Sequence, residues 1–82
     1  GEVPRERAYP LGAPRSAPVR EHVRLYSGGG WHDAALFVRE DLHPGDEVRG
    51  PSVIAEKNAT TVVEPGWTAK LTPLDHLLLD RC

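Results

Sequence analysis

The chain has 82 residues, including 8 glycines, 8 prolines, one cysteine and no methionine, and carries a formal net charge of −2. Its 10 basic residues are dispersed among 12 acidic ones, which leaves no electrostatic footprint for nucleic acid or an anionic membrane surface. Leu77-Leu78-Leu79 falls far short of the roughly 20 apolar residues of a spanning helix, and a lone Cys82 excludes an internal disulfide and a four-cysteine metal site.

The missing methionine leads us to expect a piece of a longer protein, and the sparing use of cysteine a cytoplasmic one. A chain of this length buries a modest share of its surface, so an elaborate enclosed active site is not expected.

Residues 1–20 contain Pro4, Pro10, Pro14 and Pro18 with no apolar period, and are expected to form a flexible arm or linker that Tyr9 and Leu11 can anchor on a neighbouring surface. Residues 21–82 are expected to form a small β-domain. From Glu21 the chain alternates, with His22, Arg24 and Tyr26 on one side and Val23 and Leu25 on the other. Ser27-Gly28-Gly29-Gly30 then supplies a turn, and residues 31–39 a second strand whose irregular alternation leaves room for a bulge near Asp33-Ala34.

Residues 40–46 suit one helical or 3₁₀ turn followed by a tight turn at Pro44-Gly45. Further strands are expected at 47–49, 52–56, 59–63, 67–71 and 76–80, where β-branched runs are punctuated by Gly50-Pro51, Asn58 and Pro65-Gly66. Five to seven short strands with no sustained helical period predict an all-β fold, a small sandwich or barrel. Its core is expected from Val23, Leu25, Phe37, Val53, Ile54, Val62, Trp67, Leu71, Leu77 and Leu79, with Leu78 on the opposite face.

The residues with chemical potential have plain structural readings. Gly28-Gly29-Gly30 lacks the Lys-Ser/Thr and the helix of a phosphate-cradling loop. His22, His32, His43 and His76 are widely spaced, and His32-Asp33 can share a site only through a bulge. Ser16, Ser27 and Ser52 sit in no nucleophile elbow. Glu56 and Glu64, flanking the central turn, read either as paired carboxylates or as solvent-facing strand ends. Asn58-Ala59-Thr60 satisfies the glycosylation pattern, which matters only in a secreted protein. No catalytic, cofactor-binding or metal-ligating residue is assigned. Lys57, Asn58, Thr60 and Thr61 are kept as a candidate contact surface at the tip of the hairpin formed by residues 52–63.

Four segments taken together carry a resemblance. They are Val23-Arg24-Leu25-Tyr26 with Gly29-Gly30-Trp31-His32-Asp33-Ala34; Leu42-His43-Pro44-Gly45-Asp46; Gly50-Pro51-Ser52-Val53-Ile54-Ala55-Glu56; and Asn58-Ala59-Thr60-Thr61-Val62-Val63-Glu64-Pro65-Gly66-Trp67. In order and spacing the chain resembles the C-terminal end of the hydantoinase A / 5-oxoprolinase family. Leu74-Asp75-His76-Leu77-Leu78-Leu79 continues the likeness in the style of the 5-oxoprolinase members.

The resemblance implies a parent enzyme that uses ATP and Mg²⁺ to open the lactam of 5-oxoproline to glutamate, or a hydantoinase or ketone carboxylase with the same kind of terminal domain. It further implies an actin-like ATPase region N-terminal to this segment. Phosphorylating the amide oxygen would make the carbonyl carbon a better electrophile for water. This segment is then expected to be noncatalytic and to bind no cofactor itself. Its partners are the parent's other domains or subunits; the parent's substrate is 5-oxoproline or a related cyclic amide. A free-standing adaptor is the other reading, with Lys57 at a hairpin tip like the modified lysine of a carrier domain but without the usual Met-Lys-Met context.

Overall fold

The computed structural model describes residues 17–81. Seven strands follow in order: β1 (Glu21–Ser27), β2 (Gly30–Val38), β3 (Glu47–Arg49), β4 (Ser52–Ala55), β5 (Thr60–Val63), β6 (Trp67–Leu71) and β7 (Leu77–Arg81). One 3₁₀ turn, Arg39–Asp41, separates β2 from β3. The strands form a four-stranded sheet, β1-β2-β4-β5, and a three-stranded sheet, β3-β6-β7. Both contribute to one core, giving the all-β sandwich expected from the sequence.

Local chemistry explains the turns. Gly28 and Gly29 have φ of 61° and 83°, and Ser27 pairs with Gly30 across them. A two-residue hairpin loop needs positive φ at both central positions to match strand twist, and glycine adopts it without a Cβ clash. Pairing then runs without interruption from Ser27↔Gly30 to Glu21↔Leu36. The bulge for which the alternation near Asp33-Ala34 left room does not occur; the β1–β2 register is continuous there.

β2 and β4 are parallel neighbours, with Ala35↔Ser52 through Val38↔Ala55. Parallel strands cannot be joined by a tight turn, and here the excursion between them visits the other sheet as β3. The turn before β3 is held from inside. The buried Asp46 carboxylate accepts from the His43 amide at 2.8 Å, while Gly45 donates to the Leu71 carbonyl at 2.7 Å and Leu71 to the Asp46 carbonyl at 3.0 Å. Pro44-Gly45-Asp46 is thereby tied to the end of β6.

At the next corner Gly50 donates to the Trp67 carbonyl at 2.8 Å and precedes a cis bond to Pro51. A Cβ on Gly50 would overlap the Glu64 carbonyl oxygen, with the Glu64 carbonyl carbon at 2.5 Å and the Val63 oxygen at 2.7 Å. The backbone of this corner rests directly on the backbone leaving β5.

The core gathers Phe37, Ile54 and Val63 from the first sheet, Val48, Ala69 and Leu71 from the second, and Ala17 and Leu42 from connecting segments. Ile54 and Val63 are fully buried. Several expected core residues lie elsewhere. Val62 is 44% exposed and Val63 takes its place, because pairing of Ser52 with Val63 sets the phase of β5. Val53, Val23 and Leu25 lie on the outward face for the same reason: period-2 geometry allows only one of two adjacent residues to face inward. Leu79 shares the inward face with its partner Ala69 but sits on an edge strand and stays 40% exposed. Trp67 and Leu77 pack at the core margin, and Leu78 faces away as expected.

The amide of Arg20 donates to the Leu36 carbonyl at 2.8 Å and Ala17 is buried, so the packed domain takes in the last residues of the expected arm. Positions 1–16, with Tyr9, Leu11 and Ser16, and position 82 lie outside the described residues. No helix of the described residues is long and apolar enough to cross a membrane.

Candidate functional site

The candidate surface lies where the β4–β5 turn meets the end of β2. The turn closes through a bond from the Glu56 amide to the Ala59 carbonyl at 2.8 Å, which leaves Lys57 and Asn58 exposed at its tip. Lys57, Asn58 and Ala59 line an open concavity of about 320 Å³ together with Arg39, Glu40 and Glu56. Thr60 and Thr61 do not line it. They are adjacent in β5, so Thr60 points outward with Val62 and Thr61 inward beside Ile54.

Arg39 organises this end of the sandwich, and no local sequence pattern marked it. Its guanidinium donates to the Asp75 carbonyl at 2.8 Å and to the Asp75 carboxylate at 2.9 Å, with Glu56 at 3.9 Å. One side chain thus ties the end of β2 to the β4–β5 turn and the β6–β7 loop. Asp75 has φ of 65°, a left-handed conformation that aspartate tolerates better than most residues. The Pro73-Leu74-Asp75 turn composition was the available signal, but its partner is 36 residues away. Replacing Arg39 with alanine is expected to lower stability by about 1 kcal/mol, a charge-assisted bond discounted for the half-exposed Asp75. Arg39→Lys should recover part of that loss, because a lysine supplies charge without the planar fork. Paired urea melts of the two variants measure both effects.

The remaining candidate groups are dispersed and mostly engaged in structure. Ser27 Oγ donates to Glu64 at 3.0 Å, and the His32 ring donates through Nε2 to the Ser27 carbonyl at 3.0 Å. That is no nucleophile–base pair, since the imidazole holds the backbone and not the hydroxyl. Ser52, buried, donates its hydroxyl to the Arg49 carbonyl at 2.5 Å. Glu56 and Glu64 stand at opposite ends of β5 and form no carboxylate pair. His32 and Asp33 point to opposite faces of an unbulged strand, Asp33 towards Arg24 at 3.4 Å. Away from this end, Arg20 grips Asp41 through two bonds of 2.6 and 3.1 Å; the hydrogen bond first, and the opposite charge with it, raise the Arg20 pKa above its ordinary value.

Gly28-Gly29 closes a hairpin with no helix N-terminus behind it, and among the described residues no three His, Cys, Asp or Glu side chains converge as metal ligands. The profile of the hydantoinase/oxoprolinase C-terminal domain matches residues 2–80. The chain belongs to that family.

This hydantoinase/oxoprolinase C-terminal domain is 38% identical over 68 residues to 5-oxoprolinase 1 of Arabidopsis thaliana, a match covering 83% of this chain and 5% of the plant protein. It is 30% identical over 69 residues to the caprolactamase subunit alpha of Pseudomonas jessenii, covering 83% of this chain and 10% of that subunit. The nucleotide-free structure of acetone carboxylase, from work on ATP-dependent acetone carboxylation, superposes with a TM-score of 0.71 at 28% identity. That match covers 90% of this chain and 11% of the carboxylase chain. The domain therefore spans a small part of each protein it matches, and the family's named chemistries differ.

Proposed function

We propose that this chain is the noncatalytic C-terminal β-domain of an ATP-dependent 5-oxoprolinase, which converts 5-oxo-L-proline, ATP and water to L-glutamate, ADP and phosphate. The observation that carries the reading is the 38% identity to a 5-oxoprolinase over most of the chain. The structure adds support for a scaffolding role, because Arg20, Arg39, Ser27 and Glu64 act as tethers between loops and strand ends. ATP and Mg²⁺ belong, in this reading, to the parent's other domains, which are also this domain's partners. A cytoplasmic location goes with this reading, in keeping with the sparing use of cysteine.

The likeness to acetone carboxylase and to a caprolactamase subunit favours a second reading, the same domain in a related lactam hydrolase, hydantoinase or ketone carboxylase. Phosphate release by the full-length polypeptide distinguishes them. Stimulation by 5-oxoproline with stoichiometric glutamate is expected, while stimulation by a hydantoin, caprolactam or acetone alone selects the second reading. The 82-residue chain assayed by itself should show no ATP turnover with any of these substrates.

A further inference from the structure

The strands at the borders of the two sheets are guarded unequally. β1 carries Glu21, His22 and Arg24, β3 has three residues of which two are Glu47 and Arg49, and β5 has four residues. Charge and short length are the usual means of keeping an edge from pairing with another chain. β7 opens instead on Leu77-Leu78-Leu79, which puts leucine on both faces of its sheet. Leu78 is 51% exposed and Leu79 40%.

Half of the β7 backbone is turned away from its neighbour. In β6, Leu71 donates to the Asp46 carbonyl at 3.0 Å and the Trp67 carbonyl accepts from Gly50 at 2.8 Å, both on the β3 side, whereas Thr72 donates to the His76 carbonyl at 2.8 Å. Bonded and non-bonded pairs alternate in an antiparallel ladder, so Lys70↔Leu78 and Thr68↔Asp80 are the bonded pairs. Leu77, Leu79 and Arg81 therefore direct their N–H and C=O groups to the open side, where no strand of the described residues lies. A concavity of about 190 Å³ adjoins this edge, lined by Val62, Glu64, Trp67 and Leu79. Ser27 already holds Glu64 at 3.0 Å, and Arg81 lies over the Trp67 ring at 5.7 Å, which leaves Val62, Trp67 and Leu79 as its apolar floor.

We propose that β7 accepts a further strand, supplied by a segment of the same polypeptide outside these 82 residues. Its backbone pairs with Leu77, Leu79 and Arg81, and its alternate side chains are apolar where they enter the concavity beside Leu79. The inference rests on reading the chain as one part of a larger enzyme. Its matches cover only 5 to 11% of the proteins concerned, so roughly nine tenths of such a polypeptide is available to supply the strand. Positions 1–16 are chemically unsuited to the role. Pro4, Pro10 and Pro14 have no N–H to give, and the longest run between them, Arg5-Glu6-Arg7-Ala8-Tyr9, would bring charge to an apolar floor.

The test uses the full-length polypeptide with a photo-crosslinking residue in place of Leu78, which faces away from the core, or of Glu47 on the opposite edge. The probe at position 78 is expected to capture a proline-free peptide of the same polypeptide outside these 82 residues, and the probe at position 47 not to capture that peptide. Capture of positions 1–16, of a second copy, or of nothing from position 78 would overturn the proposal, as would the same peptide from both positions. Hydrogen exchange of the unsubstituted polypeptide, read residue by residue, supplies the backbone evidence. The Leu77 and Leu79 amides should exchange more than about tenfold more slowly than in an unstructured chain, and less slowing would show an unpaired edge. Neither readout depends on substrate. An enzyme that passes both but ignores 5-oxoproline keeps the added strand and loses the substrate reading, and the converse result does the reverse.

Discussion

Gly50→Val will cost the domain more than about 3 kcal/mol, because the atoms its side chain meets belong to the backbone of Val63 and Glu64 and cannot rotate away. Moving them would pull β5 away from β4 and stretch the bond from Gly50 to the Trp67 carbonyl. Even Gly50→Ala should be severe, since the Cβ alone makes the overlap. Gly30→Ala is the control: a Cβ there meets nothing within 4 Å, so a near-neutral change is expected. Thermal melts of the three variants measure the contrast, and a mild Gly50→Ala would show that the corner yields.

Ile54→Ala is the second large effect, with an expected loss of 2–5 kcal/mol, roughly, from transfer and cavity terms together. Ile54 is fully buried in the middle of the sandwich, paired with Thr61 and in register with Phe37. A domain of this size has a total stability on the order of 4–12 kcal/mol, so such a loss removes a large fraction of it. Val53→Ala, one residue earlier on the outward face, should cost clearly less in the chain alone. Urea denaturation of both variants measures the difference, and equal losses would show that the two faces of β4 are buried alike.

Much of this architecture was legible because turn chemistry and β-branched runs act locally. Gly28-Gly29, Pro44-Gly45, Asn58 and Pro65-Gly66 each punctuate the strands where the sequence places them. The phase of the strands was harder to read. Val53-Ile54 and Val62-Val63 offer two apolar neighbours each, and only pairing with other strands decides which one turns inward. Small residues hid part of the core as well. Ala17 and Ala69 fill it through position, not through size or hydrophobicity. At the candidate surface, Lys57 and Asn58 were legible as a turn tip, whereas the Arg39–Asp75 tie beneath them joins residues far apart in the chain. Long-range electrostatic pairs leave no periodic trace. The family likeness, by contrast, lay in the order of several short turn-and-strand segments, each ordinary by itself.

The parallel pairing of β2 with β4 bears on how the molecule comes into being. The chain must leave β2, lay β3 down at the edge of the opposite sheet, and return before β4 can dock. Neither sheet is then a hairpin stack that can mature ahead of the other. Assembly is governed by distant contacts, which makes folding slow relative to helical domains of equal length and concentrates it in one cooperative step. A nascent chain gains little from the first hairpin alone, and a protease should find the sandwich either intact or wholly open.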